Sequence, residues 1–435
     1  ALPISQNWEA TSDKRYQGAV NGAFLPSYSL GADMANKDLK WETTITRNIG
    51  VDFGFFNSRL TGTIDAYWNT TKDLLMKTAI PGITGFTSTY ANVGQTSNKG
   101  IEIALQGVLV KTRDWNVTAG FNINFNRGKV DKLADNVTGL YGTEWATSST
   151  FPKSDYVLKE GRPVGLVRGL TADGFYTTDD FTYENGVYTL KEGVADVSSA
   201  VFPNYHLHNG MNERPAGQLA YPGMAKFKDL NDDGIINDDD VDVIGDMTPV
   251  HTGGFNINAT YKNFDLGLYF NWSYGNEIYN VNKLAALYGY KEGAVYENKL
   301  SIVKDCYKIY DVVNGELVAL TTPEQLNAAN ANAKLPLAYS ENGYVSTLGI
   351  EDGSYLRLNT LTLGYTLPKS MLQKAGISNL RVYGSIYNVF TITGYSGIDA
   401  EVSTSTSTKT YPQLGMDWGT YPRARSFVLG VNLSF

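Results

Sequence analysis

The chain has 435 residues, with 36 basic against 44 acidic side chains and a net charge of −8. That balance argues against a nucleic-acid partner, which needs clustered Lys and Arg. At 18% charged residues, 42% hydrophobic residues and a mean hydropathy of −0.24, the chain also fits poorly with a soluble α/β enzyme, and no window approaches the ~20 apolar residues of a transmembrane helix.

Along the chain the dominant signal is period two, in segments near the ~9–11 residues of a tilted membrane strand. Residues 1–39 read as a loop leading into the first strand, near 41–55. There Ile45, Ile49, Val51, Phe53 and Phe55 share a face with Arg47, which is placed near the headgroups where its stem snorkels. Strand 59–69 follows with Leu60, Ile64, Ala66 and Trp68 on one face, then 99–110 with Ile101, Ile103, Leu105 and Leu109. In 115–126 the residues Trp115, Val117, Ala119, Phe121, Ile123 and Phe125 alternate with Asn116, Thr118, Gly120, Asn122, Asn124 and Asn126. A strand puts these sets on opposite faces. A face of asparagines is too polar for a sandwich core and suits a watery lumen.

The pattern continues in 252–262, with Phe255, Ile257, Ala259 and Tyr261, and in 264–274, with Phe264, Leu266, Leu268, Phe270 and Trp272. Segment 355–367 changes phase near Asn359, which predicts a bulge. Segment 380–391 alternates weakly, and 425–435 alternates up to a terminal Phe435. Short turns at 56–58, 111–114 and 262–263, and a longer one at 368–379, alternate with long connections at 70–96, 127–250, 274–353 and 392–423. The fold class is therefore all-β: a transmembrane antiparallel β-barrel with short periplasmic turns, long extracellular loops and a periplasmic carboxy terminus. The apolar stretch Val164 to Leu170 would break the parity if it spanned, so it belongs to the extracellular region 127–250. Nine strands are an odd number. An open sheet would strand backbone groups in lipid, so the remaining strands are expected upstream, as is the signal peptide that Ala1-Leu2-Pro3-Ile4-Ser5 does not provide.

One loop carries a sharper pattern. Asp229-Leu230-Asn231-Asp232-Asp233-Gly234-Ile235-Ile236-Asn237-Asp238-Asp239-Asp240 reads D-x-N-x-D-G-x-I-N-x-x-D and resembles a dockerin-type EF-hand loop. Asp229, Asn231 and Asp233 fall at positions one, three and five, Gly234 at the turn, the Ile235 carbonyl at seven, Asn237 at nine and Asp240 at twelve. Ca2+ with a structural role is the expected occupant, against a solvated acidic turn with no ion.

Other candidates are weaker. Tyr141, Trp145, Tyr411 and Trp418 lie in or beside the long loops, where aromatic faces can stack on sugar rings; packing and girdle roles are the commoner reading. His206 and His208 share a spacing for one strand face but lack a third ligand. His251 would need a nearby nucleophile, and Gly394-Tyr395-Ser396-Gly397 lacks the G-x-S-x-G spacing, so no catalytic residue is assigned. Cys306, the single cysteine, can form no internal disulfide and reads as a loop thiol without a role. Ser403 to Thr408 is a low-complexity Ser/Thr run.

Several stretches together resemble the SusC-like (SusC/RagA-type) family of TonB-dependent transporters from Bacteroidetes. They include Leu39-Lys40-Trp41-Glu42, Asn92-Val93-Gly94, Asn98-Lys99-Gly100-Ile101-Glu102, Phe227 to Gly245, Tyr261-Lys262-Asn263-Phe264-Asp265-Leu266 and Ser273-Tyr274-Gly275-Asn276. Tyr355-Leu356-Arg357-Leu358, Tyr387-Asn388-Val389-Phe390 and Asp417-Trp418-Gly419-Thr420-Tyr421-Pro422-Arg423 complete the set. The resemblance implies a 22-stranded barrel in the outer membrane, of which residues 40–435 are the C-terminal part, and an amino-terminal plug absent from this chain. It also implies TonB acting through that missing region and a SusD-like surface lipoprotein lid; loops 127–250 and 274–353, the largest extracellular masses, are the expected docking surface for it. The cargo would be oligosaccharide or peptide. A surface enzyme or adhesin on a barrel remains the alternative.

Overall fold

The computed structural model describes residues 8–11, 19–20, 23–24, 27–31, 33–133, 138–147, 150–202, 214–287, 300–338, 343–372, 376–404 and 413–435. Its frame is one antiparallel sheet of nine strands: β1 (Thr43–Phe55), β2 (Leu60–Lys72), β3 (Gln95–Lys111), β4 (Trp115–Lys132), β5 (His251–Tyr261), β6 (Phe264–Tyr274), β7 (Tyr355–Thr366), β8 (Asn379–Thr393) and β9 (Ser426–Ser434). Every strand pairs with its neighbours in sequence, so the sheet is a meander with β1 and β9 at its edges.

Register follows from alternation and turn chemistry. Phe56, Asn57 and Ser58 adopt positive φ and close β1 on β2, while Lys262, also at positive φ, closes β5 on β6 with Tyr261 opposite Phe264. Phe53, Gly62, Leu105, Phe121, Phe255, Phe270 and Leu358 stand in one register row across β1–β7. Phe255 stacks on Phe270 at 4.3 Å and Phe121 on Trp272 at 5.6 Å. Aromatic pairs on a sheet face contribute about 0.2–1 kcal/mol each. The same face ends in two aromatic bands. Trp115, Tyr261, Phe264 and Tyr365 lie at the short-turn end, and Phe125, His251, Trp272 and Tyr274 at the long-loop end. Amphipathic rings of this kind belong at membrane–water interfaces.

The bulge expected at Asn359 is present: the ladder slips between Leu358 and Thr360 against both neighbours, and Asn388 on β8 takes positive φ to absorb it. The phase change in β7 and the weak alternation of β8 therefore share one cause. Two apolar sets, offset by one residue, are brought back to the same face.

The long connections 127–250, 274–353 and 392–423 do not wander separately. They pack into a crown around one hydrophobic core, with Tyr156, Tyr176, Tyr188, Leu166, Ile236, Tyr279, Leu284 and Leu326 fully or almost fully buried. The expected loop stretch Val164 to Leu170 supplies Leu166–Leu170 to a four-stranded crown sheet with Leu140–Gly142, Tyr156–Leu158 and Val241–Asp246. A second sheet of Ile350–Asp352, Glu277–Asn280 and Met416–Asp417 joins the later connections. Helices α1 (Val281–Leu287) and α2 (Pro323–Asn330) add Leu284 and Leu326 to the core. Asp155, fully buried, accepts the N–H groups of Glu144, Trp145 and Ala146 at 2.8, 2.8 and 3.1 Å. Burial still holds its carboxyl above the ordinary range. The segment before β1 joins connection 73–94 through a small sheet of Asp33–Met34, Ser88–Asn92 and Leu75–Ala79.

Candidate functional site

Opposite the apolar face, the sheet presents a polar wall. Asn122, Asn124 and Asn126 of β4 alternate with Phe121, Ile123 and Phe125, and Asn256 and Asn258 do the same on β5. These amides bond along and across strands: Asn258 Nδ2 donates to Asn256 Oδ1 at 3.0 Å, Tyr269 OH to Asn258 Oδ1 at 3.1 Å, and Asn359 Nδ2 to Asn271 Oδ1 at 2.6 Å. Tyr67 OH donates to Asn126 Oδ1 at 2.8 Å by lying across Gly100, where a Cβ would collide with the phenol and the Phe125 carbonyl. Arg381 reaches over Gly364 to Asp265, with Nε at 2.8 Å and Nη2 at 2.5 Å, and leaves no room there for a side chain on β7. A groove of about 800 Å³ runs along this wall between β1 and β6, lined among others by Asp52, Thr63, Gln106, Asn122, Asn256 and Tyr269. The wall is dense in donors and acceptors and carries little apolar side chain, which suits contact with water or a polar solute.

At the long-loop end of the wall, an ion cluster ties connection 392–423 to β7. The Arg357 side chain is 2% exposed. Its Nη2 donates to Asp399 Oδ1, and its Nη1 lies 3.3 Å from Glu401 Oε2. Arg423 closes the ring, with Nη1 3.0 Å from Glu401 Oε2 and Nε 3.5 Å from Asp399 Oδ2. Beside it Tyr395 OH donates to the buried Asp417 at 2.6 Å; burial and the Asp417 carboxylate both push the phenol far up from its ordinary value. Asn282 of α1 then brackets the turn, donating to the Asp417 carbonyl at 3.2 Å and accepting the Gly419 N–H at 3.0 Å. One guanidinium in the wall thus fixes a whole connection, because a buried charge demands its partners in place.

The acidic loop 229–240 curls as its spacing predicts. Asp229 Oδ2 accepts the Gly234 N–H at 2.7 Å, and Asp233 Oδ1 accepts the Ile235 N–H at 2.9 Å. Gly234 has φ +85 and Asp232 φ +58. The strand Ile235–Ile236 pairs with Asp196–Val197, and Ile236 is buried in the crown core. Asp240, fully buried, accepts from the Leu230 N–H at 2.7 Å and the Asn237 N–H at 2.8 Å, which closes the loop. Among the described residues no three His, Cys, Asp or Glu side chains gather as a metal group. A cation here would draw on Asn231, Asn237 and the Ile235 carbonyl as much as on Asp229, Asp233 and Asp240. Those oxygens suit a hard cation.

A family model for the TonB dependent receptor-like β-barrel matches residues 4–389. The chain belongs to that family. TonB-dependent receptor P3 of Formosa agariphila is 30% identical over 421 residues, which are 96% of this chain and 36% of the relative. TonB-dependent receptor SusC of Bacteroides thetaiotaomicron is 29% identical over 408 residues, 92% of this chain and 32% of the relative. The chain spans about a third of the length of these curated relatives. Solved structures of the RagAB peptide importer share its fold. The closed-closed state gives a TM-score of 0.68 at 23% identity and the open-open state 0.67, covering all of this chain and 39% and 38% of theirs. These relatives are receptors and importers rather than enzymes, in keeping with the absence of a catalytic assignment from sequence.

In this receptor barrel the remaining candidates separate. Tyr141 is exposed, with the Arg168 guanidinium 4.8 Å above its ring. Trp418 is also exposed, while Trp145 packs edge-on against Tyr279 at 6.4 Å and serves the crown core. Tyr411, His206 and His208 lie outside the described residues, as does most of the Ser/Thr run. His251 stands on the apolar face, stacked on Tyr274 at 5.0 Å, with Nδ1 accepting from Trp272 Nε1 at 3.0 Å. It is a girdle residue. Ser396 is bound to Glu351, at 2.8 Å through its hydroxyl. Arg357 and Arg423 stand in the stretches Tyr355 to Leu358 and Asp417 to Arg423, whose sequence alone assigns neither a role. An arginine at a wall-facing position of a membrane strand was the available signal.

Proposed function

We propose that this chain forms part of the wall and the outer crown of an outer-membrane importer energised through TonB. The long connections would face the cell exterior and the short turns the periplasm. The observation that carries the reading is the two-faced sheet of nine strands: aromatic and aliphatic rows on one side, an Asn-, Thr- and Gly-rich wall on the other. Lipid demands the first face and a water-filled passage the second. The crown is the docking surface for a SusD-like lipoprotein lid, centred on connections 127–250 and 274–353. The cargo is an oligosaccharide or peptide, the second favoured by likeness to the RagAB peptide importer. Tyr141 and Trp418, exposed on the crown, are the aromatic contacts offered to it. Loop 229–240 holds Ca2+ through Asp229, Asn231, Asp233, the Ile235 carbonyl, Asn237 and Asp240, and orders the crown rather than reacting.

The test is uptake by cells carrying the complete protein, with labelled peptides and labelled oligosaccharides supplied separately. Accumulation that stops when TonB is removed supports import and names the cargo class. Surface binding without accumulation would point to an adhesin, and turnover by purified protein alone to an enzyme; either outcome overturns the reading.

A further inference from the structure

The outward face of β1–β4 changes character at one register row. Ile49, Ala66, Ile101 and Phe125 make an apolar row. The next outward-facing row toward the long loops is Arg47, Trp68, Lys99 and Arg127, each directly opposite its neighbour. Three cations flanking one indole, on the lipid side of a chain with net charge −8, run against both the face and the charge balance. Among the described residues neither Arg47 nor Lys99 has an ion-pair partner. Both are exposed, as is Trp68. Arg127 spends Nη1 on the Pro249 and Val250 carbonyls at 3.0 Å each, so it borders the patch with part of its fork committed. Lys129, one row further up, is neutralised by Asp131 at 3.1 Å and stays out of it.

We propose that Arg47 and Lys99, bracketing Trp68, bind the phosphate of a membrane lipid headgroup. One strand, β2, separates them, so two strand spacings put about 10 Å between their backbones, a span that both long side chains can close on a single phosphate. Trp68 lies between them at the level where indole rings meet headgroups, and the acyl chains below would run over Ile49, Ala66 and Ile101. A guanidinium takes phosphate oxygens as a planar fork and an ammonium as a point charge, so the pair offers two complementary modes of contact. A free phosphate would meet the same cations but nothing for its missing tails; the apolar row directly beneath is what commits the site to a lipid. The inference rests on the apolar face meeting lipid, as proposed above.

The experiment uses the complete receptor purified in detergent, with native mass spectrometry reading bound phosphatidic acid against diacylglycerol, two lipids that differ only in the phosphate. Wild type should prefer phosphatidic acid, and Arg47→Gln with Lys99→Gln should weaken that lipid about tenfold while leaving diacylglycerol unchanged. Exchanging the cations, Arg47→Lys with Lys99→Arg, should keep most of the preference. Lys111→Gln with Arg113→Gln, at the short-turn end, should not alter it. Should the double glutamine variant fail to fold, Lys99→Gln alone carries the same expectation at a smaller loss. An unchanged affinity, an equal loss in the Lys111 and Arg113 control, or displacement of the lipid by millimolar inorganic phosphate overturns the proposal. Brominated diacylglycerol separates the two levels of argument. If it quenches the outward tryptophans in wild type and variant alike, the lipid-facing assignment stands even where the phosphate assignment falls.

Discussion

Removing Asp399 tests whether the ion cluster holds the crown to the wall. In Asp399→Ala, the Arg357 guanidinium, 2% exposed, keeps only Glu401 at 3.3 Å, and the Glu401 N–H loses its acceptor at 2.9 Å. Leaving a buried charge with half its partners costs about 3–5 kcal/mol. The sheet is not where that cost falls, because the β7 ladder to β6 and β8 is made by backbone. It falls on the docking of residues 394–404. At about 1.4 kcal/mol per factor of ten, the undocked population should rise by roughly two to three and a half powers of ten. Hydrogen exchange at Glu401 and its neighbours should quicken to match, while exchange in β7 and β8 and resistance of the barrel to heat in detergent stay as in wild type. Arg357→Met with Asp399→Leu should recover much of the protection, since an apolar pair carries no desolvation cost. If exchange across 394–404 in Asp399→Ala stays within threefold of wild type, the latch assignment is wrong.

Further outcomes follow from the register, the acidic loop and the buried thiol. Spin labels at Phe121 and Leu268 should be reached by lipid-soluble quenchers and those at Asn124 and Asn256 by aqueous ones; the inverse pattern would require a one-residue slip of the ladder. Asp229→Ala with Asp233→Ala should lower the calcium measured in purified protein by about one ion, and an unchanged content removes the site. Asp240→Ala should in addition destabilise the loop by about 1–3 kcal/mol, because two backbone N–H groups lose their buried acceptor; chymotryptic nicking near Ile235 reads this. Cys306 is buried and its thiol pushed up to about 11 by desolvation. The reactive thiolate is then about a thousandth of the population at pH 8, so labelling of native protein by a disulfide reagent should be slow, rise about tenfold per pH unit to pH 10, and become fast on unfolding. Fast labelling at pH 8 would contradict the burial.

The membrane strands were legible because most of their residues obey one local rule, the alternation of apolar and polar side chains. All nine appeared near their observed limits, and the phase break at Asn359 marked a real bulge. Arg47 blurred β1 for a reason that the fold supplies: it stands in a cationic row made by three strands, which no single strand reveals. The crown was not legible. Tyr156, Ile236, Leu284 and Leu326 come from distant segments without a shared period, and only tertiary packing brings them together. The latch failed to register for a related reason. Arg357 and Arg423 were both visible as motif residues, but Asp399 and Glu401, which join them, look like ordinary loop acids. The turn of loop 229–240 was readable because its Gly234 and the Asp side chains that cap it are encoded in twelve consecutive positions.

The common core of the long connections bears on how such receptors diversify. The sheet of Ile350–Asp352, Glu277–Asn280 and Met416–Asp417 takes its strands from two connections, and Tyr156 of a third donates its hydroxyl to the Leu414 carbonyl at 2.8 Å. Exchanging one connection for that of a paralogue removes a wall from a core that the others still line. A chimaera that exchanges one connection alone is therefore expected to expose crown core, whereas one that exchanges the connections together keeps it closed. In this protein the unit that can be exchanged without opening a core is the assembled crown rather than any single loop.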